Sequence, residues 1–512
     1  MSLHTRQGRT LLRLSIVFNI LIVAAIFWIY SFPIDDPALT RSAADGEPSI
    51  RVVEKVVERV VEKVVEVPQI VSGASCSLCT ANATLCDEMS EGSVEASISY
   101  RGTNQRLRRA LAKMRSGKPF NVAVVGGSVS RGHTLKEDPE ETCKANLHRR
   151  IFDHLDAKFP GKGEAFISLP STESKKGEGR NGFVNGAQGG TGSDYFSMCF
   201  QEHIPTDVDI VIVELAINDQ NYLEFQRPYE LLLRGLLDLP SQPAIINLQT
   251  LALPLHALVS GAIPHTAIAQ YMDVPTISLQ HAVMPQILRD EAYTKQVFVV
   301  HDDGEVDGRH LSRWGHQKMG DIVNAYLDTQ LCEMDRLEAA EKKRTGKSDI
   351  DIDTLYKLDP LPRLLTSDQW DPKRTIPALR PTCASMNSPN KPVPAKNDGW
   401  TEWAWKDKNY MITKTPGSTI SFEVNTGIGI VQIFYLRSWE FHLGVLKCWL
   451  DDNEAAAVTM QGYWDQKFNI GQRYDVAKDA SPGKHMLNCK FLGKDGNKAS
   501  GDEFRIISVM SI

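Results

Sequence analysis

Five short apolar runs, at residues 121–125, 164–169, 209–215, 244–248 and 274–279, recur through the middle of the chain with stretches of helical spacing between them. Each is shorter than a typical helix, and turn residues interrupt the pattern, so each reads as a buried strand. Parallel strands need a crossover between them, and apolar strands that alternate with helices therefore imply a parallel sheet covered on both faces. The expected fold is a doubly wound α/β domain, placed at 98–332. Helical spacing supports this at 106–115, at 141–159 through Leu147, Ile151, Phe152 and Leu155, and at 315–327.

A chain of 512 residues is too long for one core. Residues 333–397 turn charged and then proline-rich, which reads as a linker. Beyond them, 398–512 holds short β-rich runs at 419–424, 429–434, 445–450 and 503–510 without convincing helices, which indicates a C-terminal all-β sandwich. Six tryptophans, Trp400, Trp403, Trp405, Trp439, Trp449 and Trp464, fall in that region. Their default role is core packing, and stacking on sugar rings is the functional alternative.

Residues 14–32 form an apolar run broken only by Ser15, Asn19 and Ser31, long enough to approach the thickness of a bilayer core. Arg6, Arg9 and Arg13 precede it and Asp35 and Asp36 follow, so the expected topology is type II, with 1–13 cytosolic and the remainder lumenal or extracellular. Bulky residues at its end argue against signal-peptide cleavage. Residues 33–97 read as a stalk. Within it, RVVEKVVERVVEKVVEV at 51–67 has a period of four, which on a helix drifts by about 40° per repeat and gives no steady heptad seam. Two readings stand side by side here: a spacer that self-associates into a homo-oligomer, and an extended stalk with no oligomeric role.

Nine cysteines fit an oxidising compartment. Cys76, Cys79 and Cys86 lack a fourth nearby zinc ligand and read as disulfide formers, within or between chains. Cys448 with Cys489 is a plausible pair in the last domain, and Cys143 and Cys199 read as structural. Asn82-Ala83-Thr84 is the only N-glycosylation sequon in the sequence. The net charge of -6 gives no reason to expect nucleic acid as a partner.

Four blocks carry the candidate chemistry, in order along the α/β region. Gly126-Gly127-Ser128 follows the first strand and presents a serine at a strand end. The glycine-rich loop 185–191 follows the second expected strand and offers backbone N–H groups to an anion. Asn218-Asp219 follows the strongest apolar run. Asp307-Gly308-Arg309-His310 closes the set. Taken singly, each is more often a turn, a helix cap or a surface loop. Together they supply what ester hydrolysis needs: an alcohol nucleophile (Ser128), an imidazole base (His310), an acid that orients it (Asp307), and donors for an oxyanion at the Ser128 and Gly190 N–H groups and the Asn218 amide. This set calls for no metal and no cofactor.

The four blocks, in this order and spacing, resemble the SGNH hydrolase (GDSL-type esterase) superfamily. The resemblance covers about 120–327 and implies a flavodoxin-like sheet with Ser128, Gly190, Asn218 and His310 as the four named residues and Asp307 as orienter. Gly127 stands where the family's GDS triplet has aspartate, and Ala216 stands where a glycine is usual. Gly190 is preferred over Gly189 because it lies five residues after Asn185. A β-sandwich beside such a domain resembles modular carbohydrate esterases. The expected function is removal of acetyl or other acyl esters from glycans, in the Golgi, the wider secretory pathway or at the cell surface. The alternatives are O-acyl transfer to a polysaccharide through the same serine, and a non-catalytic glycan-binding protein.

Overall fold

The computed structural model describes residues 75–135, 142–168, 179–221, 225–254, 261–366, 379–406, 408–466, 469–494, 496 and 501–512. The expected cytosolic tail and membrane anchor at 14–32, and the 51–67 repeat, lie outside them. Among the described residues no helix is long and apolar enough to cross a membrane.

A seven-stranded sheet forms the first half. Its strands are β1 (Ile98–Tyr100), β2 (Asn121–Gly126), β3 (Phe166–Ser168), β4 (Gly182–Asn185), β5 (Ile210–Glu214), β6 (Ala244–Gln249) and β7 (Thr276–Ser278), in spatial order β1-β7-β6-β5-β2-β4-β3. All neighbours run parallel except β1, which pairs antiparallel with β7. The chain leaves β2 toward β3 and β4, then crosses to β5 and continues to β6 and β7. The strand order therefore reverses between β2 and β5, the place where open α/β sheets put their crevice.

Alternate residues of each strand feed two cores. Val122, Val124, Phe183, Ile210, Ile212 and Ile246 pack on one face. Ala123, Val125, Val211, Val213 and Ile245 pack on the other. Two departures from the expected elements matter for the site. The glycine-rich loop is carried by β4, four residues with no long apolar signature, and the expected second strand is the edge strand β3. The long helix Arg313–Thr345 runs through the charged stretch read as the start of the linker, where Arg336–Glu333 and Arg344–Glu341 pairs bind its exposed face.

The end of the expected stalk is also folded. Three short helices, Leu78–Ala81, Ala83–Met89 and Glu91–Ala96, bury Leu78, Leu85, Met89 and Val94 in the α/β core. Cys79 pairs with Cys86 and Cys76 with Cys332, so this cluster is closed within the chain and tied to the Arg313–Thr345 helix. Asn82 caps the second of these helices, its side-chain oxygen accepting from Leu85 N–H at 3.1 Å.

The C-terminal half is a sandwich of two antiparallel sheets. One contains β10 (Thr382–Ser385), β12 (Thr401–Trp405), β13 (Lys408–Thr413), β15 (Val431–Arg437), β18 (Ile470–Ala477) and β20 (Phe504–Ser511). The other contains β11 (Lys396–Asp398), β14 (Thr419–Thr426), β16 (Val445–Leu450), β17 (Val458–Gln461) and β19 (Gly483–Gly493). Ile420, Phe422, Ile433, Leu446, Phe491 and Phe504 fill the space between them, beside the Cys448–Cys489 disulfide. β10 and β11 lie within the stretch read as linker, so the sandwich begins earlier than its composition implies. Of the six tryptophans only Trp400 is buried, while Trp403 and Trp439 are exposed, so core packing does not account for the group.

The two halves share a core. Phe434, Leu436, Leu443, Ile507 and Met510 of the sandwich join the cluster formed by the Ser193–Cys199 and Gln226–Leu237 helices. Cys199–Cys383 staples them across 184 residues of sequence. Replacing both cysteines by alanine is expected to destabilise the protein by roughly 2–5 kcal/mol, the usual cost of losing a disulfide that closes a long loop. Chemical denaturation of the two proteins under non-reducing conditions measures this.

Candidate active site

Ser128, His310 and Asp307 converge. Ser128 starts the short Ser128–Arg131 helix at the C-terminal end of β2. His310 and Asp307 lie on one strand, β9 (Val306–Leu311), of a hairpin with β8 (Phe298–Val300), and not on the surface loop that their sequence alone suggests. Ser128 Oγ is 3.0 Å from His310 Nε2, and His310 Nδ1 is 2.9 Å from Asp307 Oδ2. The other Asp307 oxygen accepts the backbone N–H groups of Arg309 at 2.9 Å and His310 at 2.8 Å. The carboxylate therefore fixes both the ring and the backbone that carries it. Gly308 bends the strand with a positive φ of 65°, and a Cβ there would approach Pro254 at 3.2 Å.

The electrostatics suit a base. Burial lowers the His310 pKa, the Asp307 hydrogen bond and charge raise it, and the net position is below the ordinary 6.5. Burial raises the Asp307 carboxyl, but hydrogen bonds from the His310 ring and backbone, with the imidazole charge, more than offset this and hold it below its ordinary value. The ring of His133 meets His310 edge-on at 4.8 Å. His301 Nε2 lies 3.6 Å from Asp307, beyond a hydrogen bond.

The loop with Gly190 and the turn with Asn218 are drawn to the same strand ends. Gln188 N–H donates to Gly126 O at 2.9 Å, and Ser193 N–H donates to Asp219 Oδ1 at 2.8 Å, so the intervening Gly189-Gly190-Thr191 is held between the Ser128 and Asn218 blocks. Gly190 is exposed in the left-handed region, with φ of 71°. Asn218 packs directly against Gly127: a Cβ at 127 would lie 1.9 Å from its Oδ1 and 2.7 Å from its Nδ2. Position 127 is therefore glycine because the volume a side chain there would take is already occupied by Asn218.

Beneath Ser128 lies a buried polar group of which the sequence reading gave no sign. Ser130 Oγ is 3.0 Å from Glu214 Oε2 and 2.9 Å from His148 Nε2, and Thr250 Oγ1 donates to Glu214 Oε1 at 2.6 Å. Ser130 O accepts from the Asn146 and Asn185 amides at 2.9 and 3.0 Å. A Cβ at Gly126 would collide with Ser130 Oγ, at 2.1 Å. Burial raises the Glu214 carboxyl and drives His148 well below its ordinary value. His316 is fully buried, accepts from Leu147 N–H at 3.3 Å, and is pushed down to about 3 by burial and then by the charge of His310. His281, by contrast, hydrogen-bonds Ser99 at the antiparallel edge of the sheet. Among the described residues no group of three or more His, Cys, Asp or Glu is placed to hold a metal ion.

A cleft of about 520 Å³ opens between the Gly190 loop and the sandwich, lined by Arg131, Gln188 and Gly190 on one side and Lys408, Trp405 and Phe441 on the other. Trp405 and Phe441 meet edge to face at 5.5 Å. Arg131 ends the same short helix that Ser128 begins, while Ser128, His310 and Asn218 are not themselves among the residues that line the cleft.

No family model matches the chain, and no curated protein matches it. Solved structures do. A two-domain esterase active on acetylated mannans, co-crystallized with mannopentaose, matches over 82% of this chain and 97% of its own, with a TM-score of 0.57 and 17% identity. A second crystal structure of the two-domain esterase active on acetylated mannans matches over 98% of its length with the same score. A G-D-S-L family protein from Desulfitobacterium hafniense DCB-2 matches over 40% of this chain at 11% identity, with a TM-score of 0.25, too low to indicate a common fold. The likeness to the two-domain esterase is one of fold: an α/β unit joined to a β-sandwich.

Two outcomes follow from the geometry. Protonation of His310 would remove the base, and its pKa is lowered from the ordinary 6.5, so phosphonylation of Ser128 by a fluorophosphonate is expected to fall with acidity with a midpoint below pH 6.5. A midpoint above 6.5 in the pH profile would contradict this. Gly127→Ala is expected to displace Asn218 and slow the same reaction roughly a hundredfold, the weight of one lost oxyanion donor.

Proposed function

We propose that this chain is a serine esterase that removes acetyl or other acyl groups from glycans. The observation that carries the reading is the continuous hydrogen-bonded line from Ser128 through His310 to Asp307 at the reversal point of a parallel sheet. As Ser128 Oγ attacks the ester carbonyl, His310 Nε2 takes its proton. The Ser128 and Gly190 N–H groups and the Asn218 amide receive the developing oxyanion. When the C–O bond of the tetrahedral adduct breaks, His310 returns the proton to the departing sugar oxygen. Water, deprotonated by His310, then attacks the acyl-serine, and collapse of the second adduct releases the carboxylic acid and restores Ser128.

Two further observations support a glycan as the group that carries the ester. The fold is that of an esterase active on acetylated mannans. The cleft beside the Gly190 loop is lined by polar side chains with Trp405 and Phe441, a combination suited to sugar hydroxyls and the apolar faces of sugar rings. The apolar run at 14–32 and its flanking charges support type II anchoring, with the esterase on the lumenal or extracellular side and Asn82 available to glycosylation there.

The test is turnover of p-nitrophenyl acetate and of acetylated oligosaccharides by wild type and by Ser128→Ala, His310→Ala and Asp307→Asn. Each variant is expected to lose about 10³-fold or more in kcat, with Asp307→Asn acting through the imidazole. Trp405→Ala is expected to raise KM for the oligosaccharide about tenfold, equivalent to about 1.4 kcal/mol, and to leave p-nitrophenyl acetate unaffected. Acyl release only in the presence of a sugar acceptor would replace hydrolysis by O-acyl transfer. Ser128→Ala with undiminished glycan binding, and no turnover by wild type, would leave a glycan-binding protein.

A further inference from the structure

We infer that Asp219 and His265 form a positioning pair that sets the distance between the Gly190 and Asn218 donors; the inference rests on the serine-esterase reading above. Asp219 directly follows Asn218, and its side chain and that of His265 are both fully buried. Asp219 Oδ2 is 2.7 Å from His265 Nε2, and Oδ1 accepts Ser193 N–H at 2.8 Å. One carboxylate therefore binds the end of the Gly190 loop with one oxygen and the Ala262–Tyr271 helix with the other.

The surroundings leave that carboxylate no alternative position. A Cβ at Gly192 would lie 2.2 Å from Asp219 Oδ1, and one at Gly261 would lie 2.7 Å from Asp219 Cβ and 3.1 Å from His265 Nε2. Gly261 N–H donates to both Ala216 O and Asp219 O at 2.9 Å, which pins the start of the His265 helix to the turn that carries Asn218. The far face of the imidazole is fixed by Tyr229, stacked at 3.6 Å and 9°. Loop, turn and helix thus meet at one side chain.

An oxyanion hole works only when its donors are held within a few tenths of an ångström of the developing charge. Gly190 and Asn218 come from different strands, β4 and β5, and β2 lies between these in the sheet. Among the described residues, the Ser193–Asp219 hydrogen bond is a direct link between the two donor segments beyond the sheet itself. Asp219 touches no reacting atom in this scheme, and its effect passes through the donors.

The experiment is a double-mutant cycle on the intact chain, with Asp219→Ala, Asn218→Ala and the double variant assayed on p-nitrophenyl acetate alongside Asp219→Asn and His265→Gln. Asp219→Ala is expected to lower kcat roughly a hundredfold with KM within about twofold. It should cost much less in the Asn218→Ala background, since the donor it positions is already gone. Asp219→Asn should recover most of the loss, because its amide oxygen still accepts from Ser193 N–H. If Asp219→Ala does not fold, His265→Gln, which leaves the Ser193 link in place, enters the same cycle with an expected loss of about tenfold and the same non-additivity. Additive losses, a loss shared by KM, or full activity in Asp219→Ala and His265→Gln would overturn the inference while leaving the esterase intact. Wild-type protein without Ser128-dependent turnover would instead overturn the esterase reading and this inference with it.

Discussion

The buried carboxylate of Glu214 is the constraint on which the site depends. It closes β5, the central strand, with no exposure to solvent, and its two oxygens are satisfied by Ser130 and Thr250 from the ends of two other strands. A buried carboxyl group is tolerable only when its hydrogen bonds are complete, and losing one leaves the rest more costly. The short helix that carries Ser128 therefore cannot shift without exposing a polar deficit beneath it. Gly126 has to be glycine for the same reason, since a side chain there would occupy the place of the Ser130 hydroxyl. Ser128 sits above this buried polar group, with apolar strands below it and the crevice above.

The sandwich is part of the same construction. Tyr195, on the helix that follows the Gly190 loop, hydrogen-bonds Ser385 of β10 at 3.0 Å and His203 at 2.7 Å, and Ser385 also meets Ser508 of β20 at 2.8 Å. Burial pushes His203 down to about 4, so the imidazole is neutral in this contact. With the shared apolar cluster and the Cys199–Cys383 bond, these contacts make the second domain a wall of the cleft and a support of its floor.

Most of the sheet was legible because its strands are continuous apolar runs, and the candidate residues because Ser128 and Asn218 follow such runs and Asp307 and His310 form an Asp-x-x-His pair. Asp307 and His310 meet within one strand, so their pairing could be read locally. Ser128 and His310 stand 182 residues apart, and only the fold brings them together. The supporting residues were not legible. Glu214 ends a valine-isoleucine run and looks like its polar boundary, and His265 lies in a helix whose Asp219 partner is 46 residues earlier. β4 has four residues, too few to show a period, and the helices at 78–96 are each too short for an apolar stripe even though together they bury a patch. The charged stretch after 333 was read as linker because a solvent-facing helix and a linker share composition.

The most direct measurement is peptide mass spectrometry after rapid acid quenching of the protein during turnover of an acyl ester. The expected result is one acyl group on the peptide containing Ser128, absent from Ser128→Ala and from unreacted protein. Ester turnover with Ser128 unmodified, at a rate that Ser128→Ala does not change, would contradict the account.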